Sequence, residues 1–176
     1  MKPSEASETE IVTVYTDGAC IGNPGRGGYG VVVLQGNSRR EVSGGFRRTT
    51  NNRMELMAAI VGLELLAPRS TVMLYTDSKY LEAPINRGWA KKWRTNGWRT
   101  KKGRRTNYDL WEHLIYLCNK HNVKFLWVRG HAGNRDNERC DFLAMLAANA
   151  DSLPIDRGYE QPAPLVPPTE QLSLKF

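Results

Sequence analysis

Two β-branched runs in this chain end on the same tripeptide, Tyr15-Thr16-Asp17 and Tyr75-Thr76-Asp77. Ile11–Asp17 alternates as a strand does, and Thr71–Thr76 reads as a second strand. Between them Asn52–Leu66 places Met54, Met57, Ala58, Val61 and Leu65 on one helical stripe, which Pro68 closes. When that helix is a right-handed crossover, the strands it joins lie parallel. Adjacent strands are about 5 Å apart. Both aspartates then stand at carboxyl ends of neighbouring strands, in the crevice where open α/β sheets place their chemistry.

The rest of the chain fits around that unit. Tyr29–Leu34 and Arg39–Phe46 read as strands with short links, an antiparallel meander with the first strand. A helix is expected from Ser78, interrupted by Pro84 and Gly88. Tyr108–His121 reads as a helix, Val123–Val128 as a strand and Asp136–Asn149 as a final helix. The order β-β-β-α-β-α-α-β-α predicts an α/β class with a mixed sheet. Gly25-Arg26-Gly27-Gly28-Tyr29-Gly30 satisfies G-x-G-x-x-G, but a strand follows it and not a helix, so no helix N-terminus is there for a pyrophosphate. A tight turn with close backbone approach is the reading instead. Residues 1–10 are polar and expected to be disordered. Residues 150–176, with Pro154, Pro162, Pro164, Pro167 and Pro168, read as a proline-rich tail, with Asp151–Pro168 expected to be an extended spacer.

The 176 residues suit one domain. No apolar stretch approaches the roughly 20 residues of a membrane span. Cys20, Cys118 and Cys140 are odd in number and widely spaced. That argues against a disulfide framework or zinc knuckle and makes the cytoplasm the default compartment. The net charge of +7 is local: Arg87 to Arg105 holds nine Lys/Arg and no acid, leaving 16 basic against 18 acidic residues elsewhere. Trp89, Trp93 and Trp98 fall inside this segment, the first two four apart and so on one helical face. Cations interleaved with rings suit a nucleic-acid strand. The alternative is a solvated helix anchored by its tryptophans.

Close carboxylates at positions 17 and 77 repel unless one is protonated or a cation lies between them. All-oxygen donors select a hard cation, magnesium or manganese. The alternative is that each aspartate caps the turn after its strand. Glu55 fits either a site or a capping box with Asn52. Asp141 fits either a site or dipole matching at the start of the last helix. His131, in Arg129-Gly130-His131-Ala132-Gly133, suits proton transfer or is a bystander; His113 and His121 read as structural.

At this point the motifs resemble a known family. Tyr15-Thr16-Asp17-Gly18-Ala19-Cys20 with Gly22-Asn23-Pro24-Gly25, Thr49-Thr50-Asn51-Asn52-Arg53-Met54-Glu55-Leu56, Thr76-Asp77-Ser78, Gly130-His131-Ala132-Gly133 and Asn137-Glu138-Arg139-Cys140-Asp141 are similar to bacterial type 1 ribonuclease H, from about Ile11 to Ala148. The resemblance implies a ribonuclease H-like three-layer fold, a five-stranded mixed sheet with helices on both faces, as a catalytic domain over residues 11–149. It implies an endonuclease that cuts the RNA strand of an RNA–DNA hybrid, leaving 5′-phosphate and 3′-hydroxyl ends. Asp17, Glu55, Asp77 and Asp141 would hold Mg2+ or Mn2+, two ions in the catalytic complex, with His131 assisting proton transfer or product release. Cys20, Asn23, Asn51 and Asn52 would meet RNA sugar hydroxyls. Thr50 would hold a DNA phosphate, and Trp89 and Trp93 would line the DNA groove beside the cations Lys91, Lys92 and Arg94. The family often has Gln where this chain has Lys79, which leaves the RNA contact there open.

Two other classes compete. A hybrid-binding module without catalysis would not need clustered acids facing phosphate, and a transposase or integrase relative would carry additional domains. The last six residues, Gln171-Leu172-Ser173-Leu174-Lys175-Phe176, are similar to the peptides by which bacterial replication proteins dock on the sliding clamp. Leu172, Leu174 and Phe176 would be apolar anchors and Gln171 a hydrogen-bonding group; the alternative is a tail that packs on its own domain. A monomer is the default.

Overall fold

The computed structural model describes residues 10–162. In chain order its elements are β1 (Ile11–Ile21), β2 (Gly25–Gln35), β3 (Ser38–Thr49), α1 (Asn51–Glu64), β4 (Thr71–Thr76), α2 (Lys79–Asn86), α3 (Trp89–Thr95), β5 (Arg99–Thr100), β6 (Gly103–Arg104), α4 (Tyr108–Lys120), β7 (Asn122–Trp127), α5 (Arg135–Ala148) and α6 (Arg157–Glu160). Five strands form one mixed sheet in the order β3-β2-β1-β4-β7, and β5 and β6 form a separate two-stranded ribbon.

The expected crossover is present: β1 and β4 are parallel, with Tyr15 opposite Tyr75. Those rings stack at 4.8 Å, so the repeated tripeptide is a cross-strand pair. Asp77 follows the end of β4 as expected, but Asp17 does not end its strand: β1 parts from β4 there and runs on to Ile21 against β2. The β1–β2–β3 meander is antiparallel. Its first link is tighter than the glycine-rich stretch predicts, because β1 runs on to Ile21 and β2 starts at Gly25. The glycines serve the strand itself: a Cβ at Gly28 or Gly30 would overlap the α5 backbone at Ala144 or Cys140. Their absence brings α5 directly onto the sheet.

Alternate strand positions divide the two layers. Val12, Val14, Leu74 and Phe125 face Leu56, Ile60, Leu63, Trp111 and Leu114 in the main core. Val32 faces Cys140 and Leu143 of α5 on the other side. None of the helices among the described residues is long and apolar enough to cross a membrane.

Three expectations are corrected. Pro84 does not interrupt α2; the helix ends at Asn86, so at most a turn follows the proline and little backbone bonding is lost. The break comes at Gly88, whose φ of 69° turns the chain into α3. Trp98 is a core anchor, 6% exposed, with its indole N–H on Glu112. The extended spacer does not begin at residue 151. The Arg47 N–H donates to the Pro154 carbonyl, and α6 follows, capped by Asp156. The carboxylate of Asp156, 3% exposed, accepts from Arg53 Nε at 2.6 Å and Nη2 at 2.8 Å and from the Thr49 hydroxyl at 2.6 Å. Composition misled here because five prolines outweighed one buried acid. Gln171–Phe176 lie outside the described residues.

Candidate active site

Glu55 shows how local sequence serves the site. The α1 cap is Thr50, whose side chain accepts from the Arg53 N–H, so the capping box expected from Asn52 does not form. Glu55 is left to point elsewhere. Gly18 brings β1 so near α1 that a Cβ there would overlap the backbone of Met54 and Glu55. That approach sets Glu55 beside Asp17.

Asp17, Glu55 and Asp77 each offer a carboxylate oxygen, and the three lie within 4.8 Å of one another. Asp17 is 6% exposed and Glu55 5%. Burial, with the charges of Asp77 and Asp141, pushes the Asp17 carboxyl up to about 8. Burial, with Asp17 and Asp77, raises Glu55 well above the carboxylate range. Asp17 Oδ1 accepts from the Gly18 N–H at 2.8 Å, which partly offsets the rise. Oε2 of Glu55 is buried without a donor. Two buried acids held towards their neutral forms, with Asp77 beside them and one oxygen unpartnered, form an all-oxygen donor set that fits a hard divalent cation. Asp141, half-buried on α5, stands outside the three-acid cluster but near enough for its charge to act on Asp17. His131 is exposed, in a loop residue of φ 50°.

The residues expected to meet RNA are linked to this cluster. Asn23 Oδ1, in the β1–β2 turn, accepts from the Asn51 N–H at 3.2 Å, and Asn51 Nδ2 donates to Glu55 Oε1 at 3.4 Å. Cys20 Sγ lies 3.5 Å from the Thr49 carbonyl, and Asn52 is exposed. Lys79 stands with its ammonium 4.0 Å from the Trp127 ring centroid and 3.4 Å from Glu82.

The basic segment forms a ridge of α3 and the β5–β6 ribbon. Lys91 and Lys92 are exposed, while Arg94 pairs with Glu112 at 2.8 Å. Trp89 is 40% exposed; Trp93 is half-buried, edge-on to Trp111, with the Arg105 guanidinium 3.7 Å above it. Thus Trp93 is both wall and anchor. Tyr80, Trp93, Thr100, Lys102, Arg104 and Arg105 line a hollow of about 380 Å³ beneath the ribbon.

Sequence reasoning passed over Arg53, Asp109 and Asp156, which form one network around the buried Arg53 guanidinium, and Trp127, Gly130 and Asn137, which surround Asp77. The signal available for the first was an arginine on the apolar helix that carries Glu55.

A mixed α/β sheet with acids converging where its parallel β1–β4 pairing ends, in a chain that also carries a cationic aromatic ridge, defines a class of hydrolase that works on a polyanion through a carboxylate-held metal. The RNase H family model matches residues 9–149. Ribonuclease H of Desulforamulus reducens is 59% identical over 157 residues, covering 89% of this chain and 99% of that protein. Ribonuclease HI of Synechocystis is 53% identical over 156 residues, covering 88% and 98%. Among solved structures, LC9-RNase H1, a type 1 RNase H with the type 2 active-site motif, superposes with a TM-score of 0.74 at 31% identity, covering 95% of this chain and 82% of that one. The chain belongs to the ribonuclease H family, whose members are metal-dependent.

Proposed function

We propose that this chain hydrolyses the RNA strand of RNA–DNA hybrids in the cytoplasm, acting as a monomer with Asp17, Glu55, Asp77 and Asp141 holding two Mg2+ ions. The observation that carries the reading is the three-acid cluster of Asp17 on β1, Glu55 on α1 and Asp77 after β4, gathered where the parallel β1–β4 pairing ends. Family membership and the cationic ridge support it. When bound, the cations would supply charge neutralisation at the phosphate and an activated water.

The chain's own residues account for the rest. Asn23 and Asn51 join the turn to Glu55, so a sugar hydroxyl met at that turn is registered at the acids; only RNA carries the 2′-hydroxyl. Cys20 and the exposed Asn52 flank the same turn. Thr50 takes a DNA phosphate beside the first turn of α1, and Trp89 and Trp93, with Lys91, Lys92 and Arg94, follow the DNA strand. His131 moves a proton at the leaving oxygen or hastens release from its exposed loop.

Cleavage of hybrid, duplex RNA and duplex DNA with Mg2+, resolved on gels, tests this. Cutting confined to the RNA of the hybrid, ending in 5′-phosphate and 3′-hydroxyl, is the expected result; binding without cutting, or cutting of duplex DNA, overturns it.

For the C-terminus we propose docking on the sliding clamp through Gln171, Leu172, Leu174 and Phe176. Support comes from the residues themselves: Leu172, Leu174 and Phe176 are apolar anchors at alternate positions and Gln171 is a hydrogen-bonding group, the pattern of a short peptide that fills adjacent pockets on a partner. Deleting Gln171–Phe176 should abolish clamp binding and leave cleavage and melting temperature unchanged. A lowered melting temperature, with no clamp binding by the intact chain, refutes it.

A further inference from the structure

Two of the three clustered acids are held by enclosure and by bonds from their own neighbourhoods, the Gly18 N–H to Asp17 and Asn51 Nδ2 to Glu55. Asp17 and Glu55 are almost fully enclosed, whereas Asp77 is half-buried and needs other restraint. Three neighbours supply it. The indole N–H of Trp127, at the end of β7, donates to the Asp77 carbonyl at 2.9 Å. Asn137 Nδ2, on the first turn of α5, donates to Asp77 Oδ2 at 3.4 Å. Gly130, in the His131 loop, faces the same oxygen, and a Cβ there would overlap it.

Asn137 is unusual among the three because it is 2% exposed, and burying an amide costs free energy unless its bonds are made. Its Oδ1 is buried and meets no donor. The side chain's hydrogen bonding among the described residues is therefore the donor on Asp77. Turned over, the amide would set oxygen against carboxylate oxygen and lose that bond. Its backbone N–H is held by the Asn134 cap at 3.1 Å, which fixes the turn the side chain projects from. An apolar residue would fill this position of α5 at lower cost, so the amide is spent on orienting one acid.

We propose that Asn137, backed by Gly130, is a positioning residue for Asp77: the amide and the missing Cβ hold Oδ2 where the three acids converge on a cation. The proposal deepens the metal-site reading above and rests on it. Its reach is wider than one bond. Asn137 lies one turn before Asp141 on α5, and Gly130 precedes His131. The carboxylate at the end of β4 is thereby tied to the helix that carries the fourth acid and to the loop that carries the histidine.

Asn137→Ala removes the donor, and Gly130→Ala presses on Oδ2 from another element, so the two variants approach the carboxylate independently. Mg2+ affinity is measured by calorimetry without nucleic acid, hybrid affinity in EDTA, and kcat across Mg2+ concentration, with melting temperature in EDTA to show that each variant is folded. Both variants should weaken Mg2+ binding by about 10–100-fold, the range typical of lost outer hydrogen bonds to a metal ligand. Hybrid affinity in EDTA should stay within about twofold, and excess Mg2+ should restore most of kcat. A residue that merely supports the fold would lower the melting temperature and leave Mg2+ affinity alone. Mg2+ affinity intact in both variants but lost in Asp17→Asn overturns the positioning role and spares the metal site. Mg2+ affinity intact in Asp17→Asn as well overturns the metal-site reading itself.

Discussion

Replacing Asp156 with alanine probes the contact by which the C-terminal segment holds the start of α1. Arg53, 2% exposed, is gripped from two sides: Asp156 accepts from Nε and Nη2, and Asp109, about one-third exposed, accepts from Nη1 at 3.0 Å and Nη2 at 2.8 Å. Burial pulls the guanidinium's pKa down, and the bonds to Asp109 and Asp156 more than reverse this. Asp156→Ala leaves Nε and the Thr49 hydroxyl in the interior without acceptors, at about 1–3 kcal/mol each. Asp109 still neutralises the charge, so the total falls near the lower end of the ~3–5 kcal/mol for breaking a buried pair. At roughly 2–4 °C per kcal/mol for a chain of this size, melting should drop by about 10 °C. Circular dichroism melts and urea titrations at neutral pH measure it. Asp109→Ala, whose carboxylate is wetter, should cost less. Glu160→Ala, which frees the exposed Arg47, should not shift the melt measurably. A loss under about 2 °C for Asp156→Ala would refute the reasoning and return residues 151–162 to the role of spacer.

Asp17→Asn should abolish cleavage and raise the melting temperature of the metal-free protein at pH 8. In the fold the Asp17 carboxyl titrates near 8, against roughly 4 in an unfolded chain, so the folded state alone keeps the proton between those values and stability falls as pH rises through that window. The gain from the substitution should accordingly shrink towards pH 4, and a pH-independent difference would refute it. His131→Ala should slow turnover by about ten- to a hundredfold with hybrid binding kept, as single-turnover kinetics beside binding titrations will show. Neutralising Lys91, Lys92, Arg94 and Arg99 together should weaken hybrid affinity and flatten its dependence on salt, whereas Trp93→Ala should weaken affinity with the slope kept; an unchanged slope in the fourfold variant means that the ridge does not track the backbone.

The parts of this molecule legible in its sequence are those written in short-range pattern. Alternation gave the strands, the stripe from Met54 to Leu65 gave α1, and the crossover rule aligned the two tripeptides. What pattern could not separate was competing uses of one residue type. Asn52 and Glu55 have capping-box spacing, yet Thr50 takes the cap and frees the glutamate for the site. Trp89, Trp93 and Trp98 look equivalent in a basic run, yet they are exposed, half-buried and buried in turn. Asp156 sits among prolines, and its partner is more than a hundred residues away, so nothing local announces it.

The glycines show why the remainder was hidden. Gly18 reads as part of a motif, and Gly28 and Gly30 as a tight turn with close backbone approach; the approach is there, but within strand β2 and to a helix more than a hundred residues on, and each glycine acts by what it leaves out. Without side chains at 28 and 30, the α5 backbone lies on the sheet; without one at 18, α1 reaches β1. These two approaches come from opposite faces. The acids of β1 and α1 are drawn together from one side, and Asn137 and Asp141 are delivered towards them from the other. A sequence displays its side chains, so an arrangement that depends on missing ones becomes visible only once the layers are in place. The candidate site is therefore a property of the whole three-layer packing: thickening the sheet by one methyl at Gly30 would lift α5, and with it Asn137 from Asp77, without touching an acid.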